Sequence, residues 1–170
     1  MHEFPPVAGR FEKVPFAQYA KAAGAQADDS EALRLYRNIP LPRRSTSGSA
    51  GYDFFADRDY EIPPAGSAVI STGICCPMRP GWFLALYPRS GMGFKYGVRL
   101  ANTVGVIDSD FVSGETGGHI LVKLVNRESD QVIRIARGDR FCQGIFQIYG
   151  VAEDDDAFAS RTGGFGSTGD

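Results

Sequence analysis

The chain has 170 residues, with 18 Lys and Arg against 20 Asp and Glu and a formal net charge of −2 at pH 7. This length suits a single domain. The near balance of charge excludes a protein that mainly covers nucleic-acid phosphates, because such proteins are usually clearly basic.

The first part of the chain, residues 1–32, is predicted to be an N-terminal extension. Pro15 followed by FAQYAKAAGAQ predicts a short amphipathic helix with Pro at its first helical position. The polar run AQADDSE that comes next predicts a loop. The opening residues contain no apolar core of signal-peptide length.

From about Leu33 the pattern changes to short strands separated by Gly and Pro, and a β domain is predicted over residues 33–156. The 21 Gly and 10 Pro of the chain agree with many turns. Closely spaced strands favour a sandwich, barrel or jelly roll, and so an all-β fold. One short helical turn is predicted around residues 94–97. Strands are predicted at 52–56, 60–62, 67–74, 82–87, 119–125, 131–136 and 142–149.

The chain ends in a segment, residues 157–170, that is predicted to be a mobile, Gly-rich C-terminal arm. Gly164 to Gly169 match the pattern G-x-G-x-x-G, but a dinucleotide-binding fingerprint needs a helix after it, and here the sequence stops. This segment would suit a lid that closes over phosphate, because it offers glycine N–H groups, two hydroxyls, Phe165 and Arg161. A tail without a role is the alternative.

Cysteine usage and hydropathy indicate the compartment. Cys75, Cys76 and Cys142 are too few for a disulfide framework, and two of them are adjacent, so we expect reduced thiols. No stretch approaches the roughly 18 apolar residues of a membrane span. We therefore expect a soluble, cytoplasmic protein with no membrane and no nucleic-acid partner. The sequence has no Cys/His cluster with zinc spacing.

A possible phosphate cradle follows one apolar strand, in the segment PRSGMG. Arg89 can make bidentate hydrogen bonds to phosphate oxygens, Ser90 adds a hydroxyl, and Gly91 allows the backbone to approach closely. The alternative is an ordinary turn with a surface arginine.

A second polar segment, NTVGVIDSDF, places carboxylates where a buried strand ends. Asp108 in such a position can be partly desolvated and can act as a general base or hold a metal-bound water. Asn102 offers both a donor and an acceptor, which suits the edge of a base. The alternative is a loop in which Asp forms a turn.

Two further segments have the same character. SGSAGYD places small residues before a strand that contains Asp53, and DRFCQ carries Gln143 into a later strand. Taken alone, each fits an ordinary turn between strands.

Together the segments resemble the five ordered motifs of the trimeric dUTPase family. The matching segments are SGSAGYDFFA (47–56), PRSGMGF (88–94), LANTVGVIDSDF (100–111), RGDRFCQGIF (137–146) and RTGGFGSTG (161–169). The resemblance implies a jelly-roll-like β-clip fold and a homotrimer with shared active sites. It implies hydrolysis of dUTP to dUMP and pyrophosphate, which keeps uracil out of DNA and supplies dUMP for thymidylate synthesis. Mg²⁺ would be held by the substrate phosphates and water, with no direct protein ligand.

The resemblance also implies a role for each motif residue. Asp108 would be the general base that deprotonates the attacking water, and Asp53 would be a supporting carboxylate. The residues that would bind the phosphates are Arg89, Ser90, Gly91, Gln143, Arg161, Ser167 and Thr168. The residues that would bind uracil and deoxyribose are Asn102, Gly105, Val106, Phe111 and Phe165.

Some features depart from the family pattern. Phe111 replaces the usual Tyr, Arg161 lies two residues before Gly163 rather than three before the Gly pair, and the loop 112–118 is longer than usual. Residues 1–32 have no counterpart in compact members. A regulatory binding role added to the enzyme would be placed in the extension or in this loop.

A related enzyme of the same fold, dCTP deaminase, is the main alternative, alone or in a bifunctional form. Its catalytic Glu would fall three residues before Asn126, where this chain has Lys123. The deaminase also lacks the GGFGSTG arm that this chain has.

Overall fold

The computed structural model describes residues 5–26 and 28–159, and within these ranges strands predominate. The strands are β1 (Glu12–Lys13), β2 (Tyr52–Phe55), β3 (Tyr60–Ile62), β4 (Ser67–Ser71), β5 (Ile74–Cys75), β6 (Trp82–Pro88), β7 (Val98–Leu100), β8 (Gly105–Asp108), β9 (Leu121–Asn126), β10 (Ile133–Ile135) and β11 (Arg140–Ile148). The helices are α1 (Phe16–Ala23), α2 (Ser30–Arg37) and α3 (Ser90–Tyr96), with a 3₁₀ turn at Phe111–Ser113. The prediction of an all-β fold is confirmed.

The largest sheet has four antiparallel strands in the order β2–β11–β6–β8. Its inner face is apolar because alternate residues of a strand point to the same side. Phe54, Leu84 and Ile107 lie on that face and are almost completely buried. The opposite face carries the polar residues singled out in the sequence.

Smaller sheets complete the domain around a common core. They are β4–β9–β7, β3–β10 and β1–β5, and every pairing is antiparallel. Side chains from all four sheets meet in one hydrophobic cluster. Each of the seven predicted strands overlaps an observed strand, and the predicted strand 67–74 is interrupted by a turn in which Gly73 has φ +66. None of the helices in the described ranges is long and apolar enough to cross a membrane.

Helical structure near the N-terminus is more extensive than the sequence suggested. Pro15 is the N-cap of α1, not its first helical residue. Helix α2 was not predicted, and it spans the proposed boundary between residues 32 and 33. The Asp29 carboxylate accepts a hydrogen bond from the N–H of Ala32 at 2.9 Å, and Arg34 pairs with Glu31 on the helix surface, both of which favour a helix start here.

Helix α3 is also longer than expected, because it begins at Ser90 rather than near residue 94. It ends at Tyr96 and is capped by Gly97, which has φ +64. The predicted phosphate cradle is therefore the first turn of a helix.

A buried polar network fixes α1 to the β domain. Tyr19 and Tyr60 donate hydrogen bonds to the two oxygens of Asp57 at 2.5 and 2.6 Å, and Arg58 pairs with the same carboxylate at 3.0 Å. Tyr19 is fully buried and Asp57 is 2% exposed. Burial, more than the adjacent carboxylate, raises the pKa of both phenols. The helix of the N-terminal extension thus packs as part of the core.

His119, which lies just before β9, makes a second connection to α1. Its Nε2 accepts a hydrogen bond from the N–H of Gly73 at 3.0 Å and lies 3.2 Å from Ser71 Oγ. Since Nε2 accepts, the ring proton is on Nδ1. The ring also forms a hydrogen bond with the backbone of Gln18 on α1. Burial lowers the pKa of His119 to about 4 from 6.5.

This shift predicts a loss of stability in mild acid. Above pH 6.5 His119 is neutral in both the folded and the unfolded chain, so protonation of His119 takes nothing from the free energy of unfolding. As the pH falls from 6.5 towards 4 the unfolded chain binds the proton first, and the free energy of unfolding decreases by about 3 kcal/mol before levelling off. Urea unfolding at pH 7.5 and pH 4.5 should show a smaller loss for His119→Gln, which cannot titrate, than for the native chain. Equal losses would contradict the assignment.

Candidate active site

The polar residues predicted from separate motifs lie on one face of the four-stranded sheet. Directly paired residues of antiparallel strands share a face. Asp53 pairs with Gln143, Gln143 pairs with Tyr87, and Asp108 pairs with Phe83. Tyr87 and Phe83 are four residues apart on β6 and so point to the same side. The sheet register therefore places Asp53, Gln143 and Asp108 on a common surface.

At one end of this face, Asp53 holds two arginines. Asp53 is 6% exposed. Its carboxylate forms an ion pair with Arg89 Nε at 3.0 Å and accepts hydrogen bonds from Arg140 Nη1 at 3.3 Å and from Ser45 Oγ at 3.1 Å. A buried carboxylate with two guanidinium partners fixes the direction of both cations. Asp53 therefore positions the arginines, which leaves their remaining N–H groups to meet an anion.

Sequence reasoning did not identify Arg140 and Ser45 as part of this arrangement. Arg140 lies inside the fourth motif, but nothing in its own segment indicates that it lies beside a carboxylate from a distant strand. A cavity of about 200 Å³ adjoins the cluster and is lined by Arg43, Arg44, Ser45, Asp53, Phe55, Gly138, Asp139 and Arg140.

Gln143 lies close to the same end of the sheet. Its Nε2 donates to the carbonyl of Pro88 at 3.3 Å. A Cβ atom at Gly51 would collide with the Gln143 side chain, so glycine in the SAGYD segment makes room for the amide.

The first turn of α3 continues the cluster. Arg89 is the N-cap of this helix, and Ser90 and Gly91 are exposed in its first turn. The first N–H groups of a helix have no acceptor within the helix. Together with the two arginines they form a surface that suits phosphate oxygens.

The segment that joins β7 to β8 makes a tight turn beside a cavity. Thr103 has φ +66, and the N–H of Val104 donates to the carbonyl of Asn102 at 2.7 Å. Gly105 lies so close to Leu86 that a Cβ atom there would be 3.1 Å from the Leu86 Cβ. The cavity has a volume of about 380 Å³, which is large enough for part of a small ligand. It is lined by Val69, Leu86, Leu100, Ala101, Asn102, Gly105, Val106, Ile107, Leu121, Val122 and Lys123.

Three predicted base-site residues, Asn102, Gly105 and Val106, therefore come together at this cavity, which is mainly apolar. The side chain of Asn102 is exposed, so its amide can meet a ligand. Phe111 is different, because its ring is 4% exposed and belongs to the hydrophobic core. Any contact between Phe111 and a bound sugar has to come through that small exposed part.

Asp108 ends β8 and is half-buried. The alternation of the strand places Ile107 in the core and Asp108 on the outer face, next to the turn that begins at Ser109. This position combines a fixed backbone with access to a ligand.

The predicted catalytic and phosphate-binding groups lie far apart in one chain. Asp108 is opposite Phe83, whereas Gln143 is opposite Tyr87 on the other side of β6. Four residues along β6 and two strand spacings across the sheet separate their Cα atoms by about 16 Å. The Gln143 amide is held at Pro88, the end of β6 that lies away from Asp108.

The remaining predicted site residues, Arg161, Phe165, Ser167 and Thr168, lie outside the described residues. Across residues 5–26 and 28–159, no group of three or more His, Cys, Asp or Glu could hold a metal ion.

Residues 37–169 match the family model described as dUTPase. The chain is 37% identical over 142 residues to the deoxyuridine 5'-triphosphate nucleotidohydrolase of Wolinella succinogenes. The aligned region covers 81% of this chain and 91% of that protein. The chain is 39% identical over 144 residues to the enzyme of the same name from Lactococcus lactis, covering 82% and 95%.

Among solved structures, the dUTPase of Streptococcus mutans aligns with a TM-score of 0.65 and 28% identity, covering 85% of this chain and 98% of that one. A dUTPase from Staphylococcus aureus phage phi11, described with a structural Mg(II) ion, shares the fold at 21% identity and a TM-score of 0.59, covering 74% and 94%.

Proposed function

The chain belongs to the dUTPase family, and we infer from that membership that it hydrolyses dUTP to dUMP and pyrophosphate. The jelly-roll-like fold expected from the sequence is confirmed by the structural similarity to the dUTPase of Streptococcus mutans. The observation that carries the function is the 37–39% identity, over most of both chains, to relatives named deoxyuridine 5'-triphosphate nucleotidohydrolase. The sheet face and the adjoining cavity supply the chemistry that such a reaction requires.

We propose that Asp108 is the general base. A water held by its carboxylate attacks the α-phosphorus and passes a proton to Asp108. The bond between this phosphorus and the bridging oxygen breaks, and its electron pair leaves with pyrophosphate. The position of Asp108 at the end of β8 supports this role, because a strand end fixes the carboxylate without removing it from the ligand.

The phosphate chain is proposed to lie over the cluster at the β2 and β11 end of the sheet face. Arg89 would make charge-assisted hydrogen bonds, with Ser90, Gly91 and Gln143 beside it. From the C-terminal segment, Arg161, Ser167 and Thr168 are proposed to bind the outer phosphates. Asp53 holds Arg89 in position. Arg140, which pairs with the same carboxylate, is added to the phosphate-binding residues proposed from the sequence.

The base is proposed to enter the 380 Å³ cavity. Asn102 and the backbone at Gly105 and Val106 would read its polar edge, and Phe165 would cover it. The tight turn at Thr103 would hold the base in a narrow site and so would disfavour a 5-methyl group. Phe111 is proposed to line the sugar side through its exposed edge.

Mg²⁺ is proposed to arrive with the triphosphate. The described residues hold no acidic cluster of three, but Mg²⁺ is commonly bound through substrate phosphates and water with few protein ligands. When bound, the ion offsets the charge that accumulates on the leaving pyrophosphate. The arginines on Asp53 would do the same from the protein side.

A homotrimer with active sites shared between subunits is also proposed. Adjacent phosphates of a nucleotide share an oxygen atom, so the base that activates water beside the α-phosphorus and the groups that bind the next phosphates have to lie close together. In one chain the Cα atoms of Asp108 and Gln143 are about 16 Å apart along the sheet. A site in which one copy supplies Asp108 and another supplies the arginine cluster removes this conflict. A cytoplasmic location remains part of the proposal.

The test of function is to incubate the full chain with Mg²⁺ and each deoxynucleoside triphosphate in turn. We expect dUMP and pyrophosphate from dUTP and little reaction with the others. Release of ammonia from dCTP would identify the deaminase or a bifunctional enzyme instead. No hydrolysis of dUTP would overturn the proposed function.

A further inference from the structure

Lys123 lies on β9 and lines the same cavity as Asn102, Gly105 and Val106. It pairs with Val69 on β4, and its side chain is exposed on the outer face of that three-stranded sheet. Its own carbonyl accepts a hydrogen bond from Ala101, next to Asn102. The backbone of Lys123 is therefore tied to the segment that forms the base site.

The ammonium group of Lys123 has no acceptor among the described residues, in contrast to several arginines of the chain. Arg99, on the adjacent strand, pairs with Glu128, and Arg89 and Arg140 share Asp53. The free donors of Lys123 thus lie beside a cavity whose lining is mainly apolar. In such surroundings a hydrogen bond to a ligand is stronger than in water.

We propose that Lys123 is a specificity-determining residue that donates from Nζ to a carbonyl oxygen of the uracil base. This proposal rests on the proposed function and extends it. An ammonium group has three donors and no acceptor, so it suits a ring that presents carbonyl oxygens. In cytosine an amino group replaces one of those carbonyls, and two donors would then face each other with no acceptor between them.

The location of Lys123 favours the base over the phosphates as its partner. Of the proposed phosphate-binding residues that the structure describes, Arg89, Ser90, Gly91 and Gln143, none lines the cavity that Lys123 borders. Besides Lys123, the cavity is lined by Asn102 and mainly by apolar residues of β4, β6, β7, β8 and β9. The cation therefore approaches the end of the nucleotide that enters this cavity.

The experiment compares Lys123→Met with the native chain by calorimetric titration of dUMP, dCMP and a non-hydrolysable dUTP analogue. Methionine keeps the length of the side chain and removes the donors. We expect the affinity for dUMP and for the dUTP analogue to fall by the same factor, about tenfold, while binding of dCMP does not weaken. At saturating dUTP, kcat should stay within about twofold, because the lost contact is made equally before and during reaction.

The matched control is Lys21→Met, which makes the same change at an exposed position on α1 and should leave all three affinities unchanged. Lys123→Arg should retain part of the affinity for dUMP. A loss that is larger for the triphosphate analogue than for dUMP would mean that Lys123 acts on phosphate, and unchanged affinities would mean that it has no role; either result overturns the proposal. Hydrolysis of dUTP by the native chain, measured first, separates this failure from a failure of the proposed function.

Discussion

Replacing Asp108 with Asn should leave the protein folded and lower the turnover of dUTP by about 10²–10⁴-fold. The substitution keeps the size and shape of the side chain but removes its ability to accept a proton from the attacking water. Asp108 is half-buried at the end of β8, and the core contact of the strand comes from Ile107. The chemical step should therefore be affected far more than the fold.

Three measurements separate catalysis from folding for this variant. The melting temperature and the affinity for dUMP should stay close to those of the native chain, while kcat falls. Asp130→Asn is a matched control, since it makes the same change in an exposed turn between β9 and β10. Near-native turnover in folded Asp108→Asn would rule out this carboxylate as the base.

Most strands of the domain could be predicted because their pattern is local, whereas the short strands β1 and β7 were not predicted. Alternation of apolar and polar residues, bounded by Gly and Pro, indicates a strand without reference to the rest of the chain. Helix α2 was missed although its signals were present, with Asp29 as a cap and Glu31 paired to Arg34. The polar composition of its first residues was interpreted as a loop, and composition is a weaker signal than capping.

The candidate site could be predicted in part. Motif residues such as Arg89, Asn102 and Asp108 stand in recognisable segments, so the sequence can name them. The pairing of Asp53 with Arg140 and the position of Lys123 beside Asn102 depend on which strands are neighbours and in what register. That information is distributed over distant segments, and only the folded sheet brings it together.

A mixture of two inactive variants should recover activity if the sites are shared between subunits. Asp108→Asn removes the proposed base, and Arg89→Gln removes a proposed phosphate ligand at the other end of the sheet face. Each variant alone should lose at least about 100-fold in turnover. When the two are unfolded together and refolded, some sites will combine the intact Asp108 of one chain with the intact Arg89 of another.

Random assortment in a closed oligomer makes roughly a quarter of such sites fully native, so the mixture should regain roughly that share of native turnover. The control mixes Arg89→Gln with Gln143→Ala. Both residues belong to the same cluster and therefore come from the same chain, so no combination of these two variants restores a native site and no activity should return.

Sedimentation of the native chain should give a mass about three times that of the 18.4 kDa subunit. Recovery in the control as well as in the first mixture, or a fully active monomer, would contradict sharing. The distance of about 16 Å between the Cα atoms of Asp108 and Gln143 would then have to be closed by a movement within one chain.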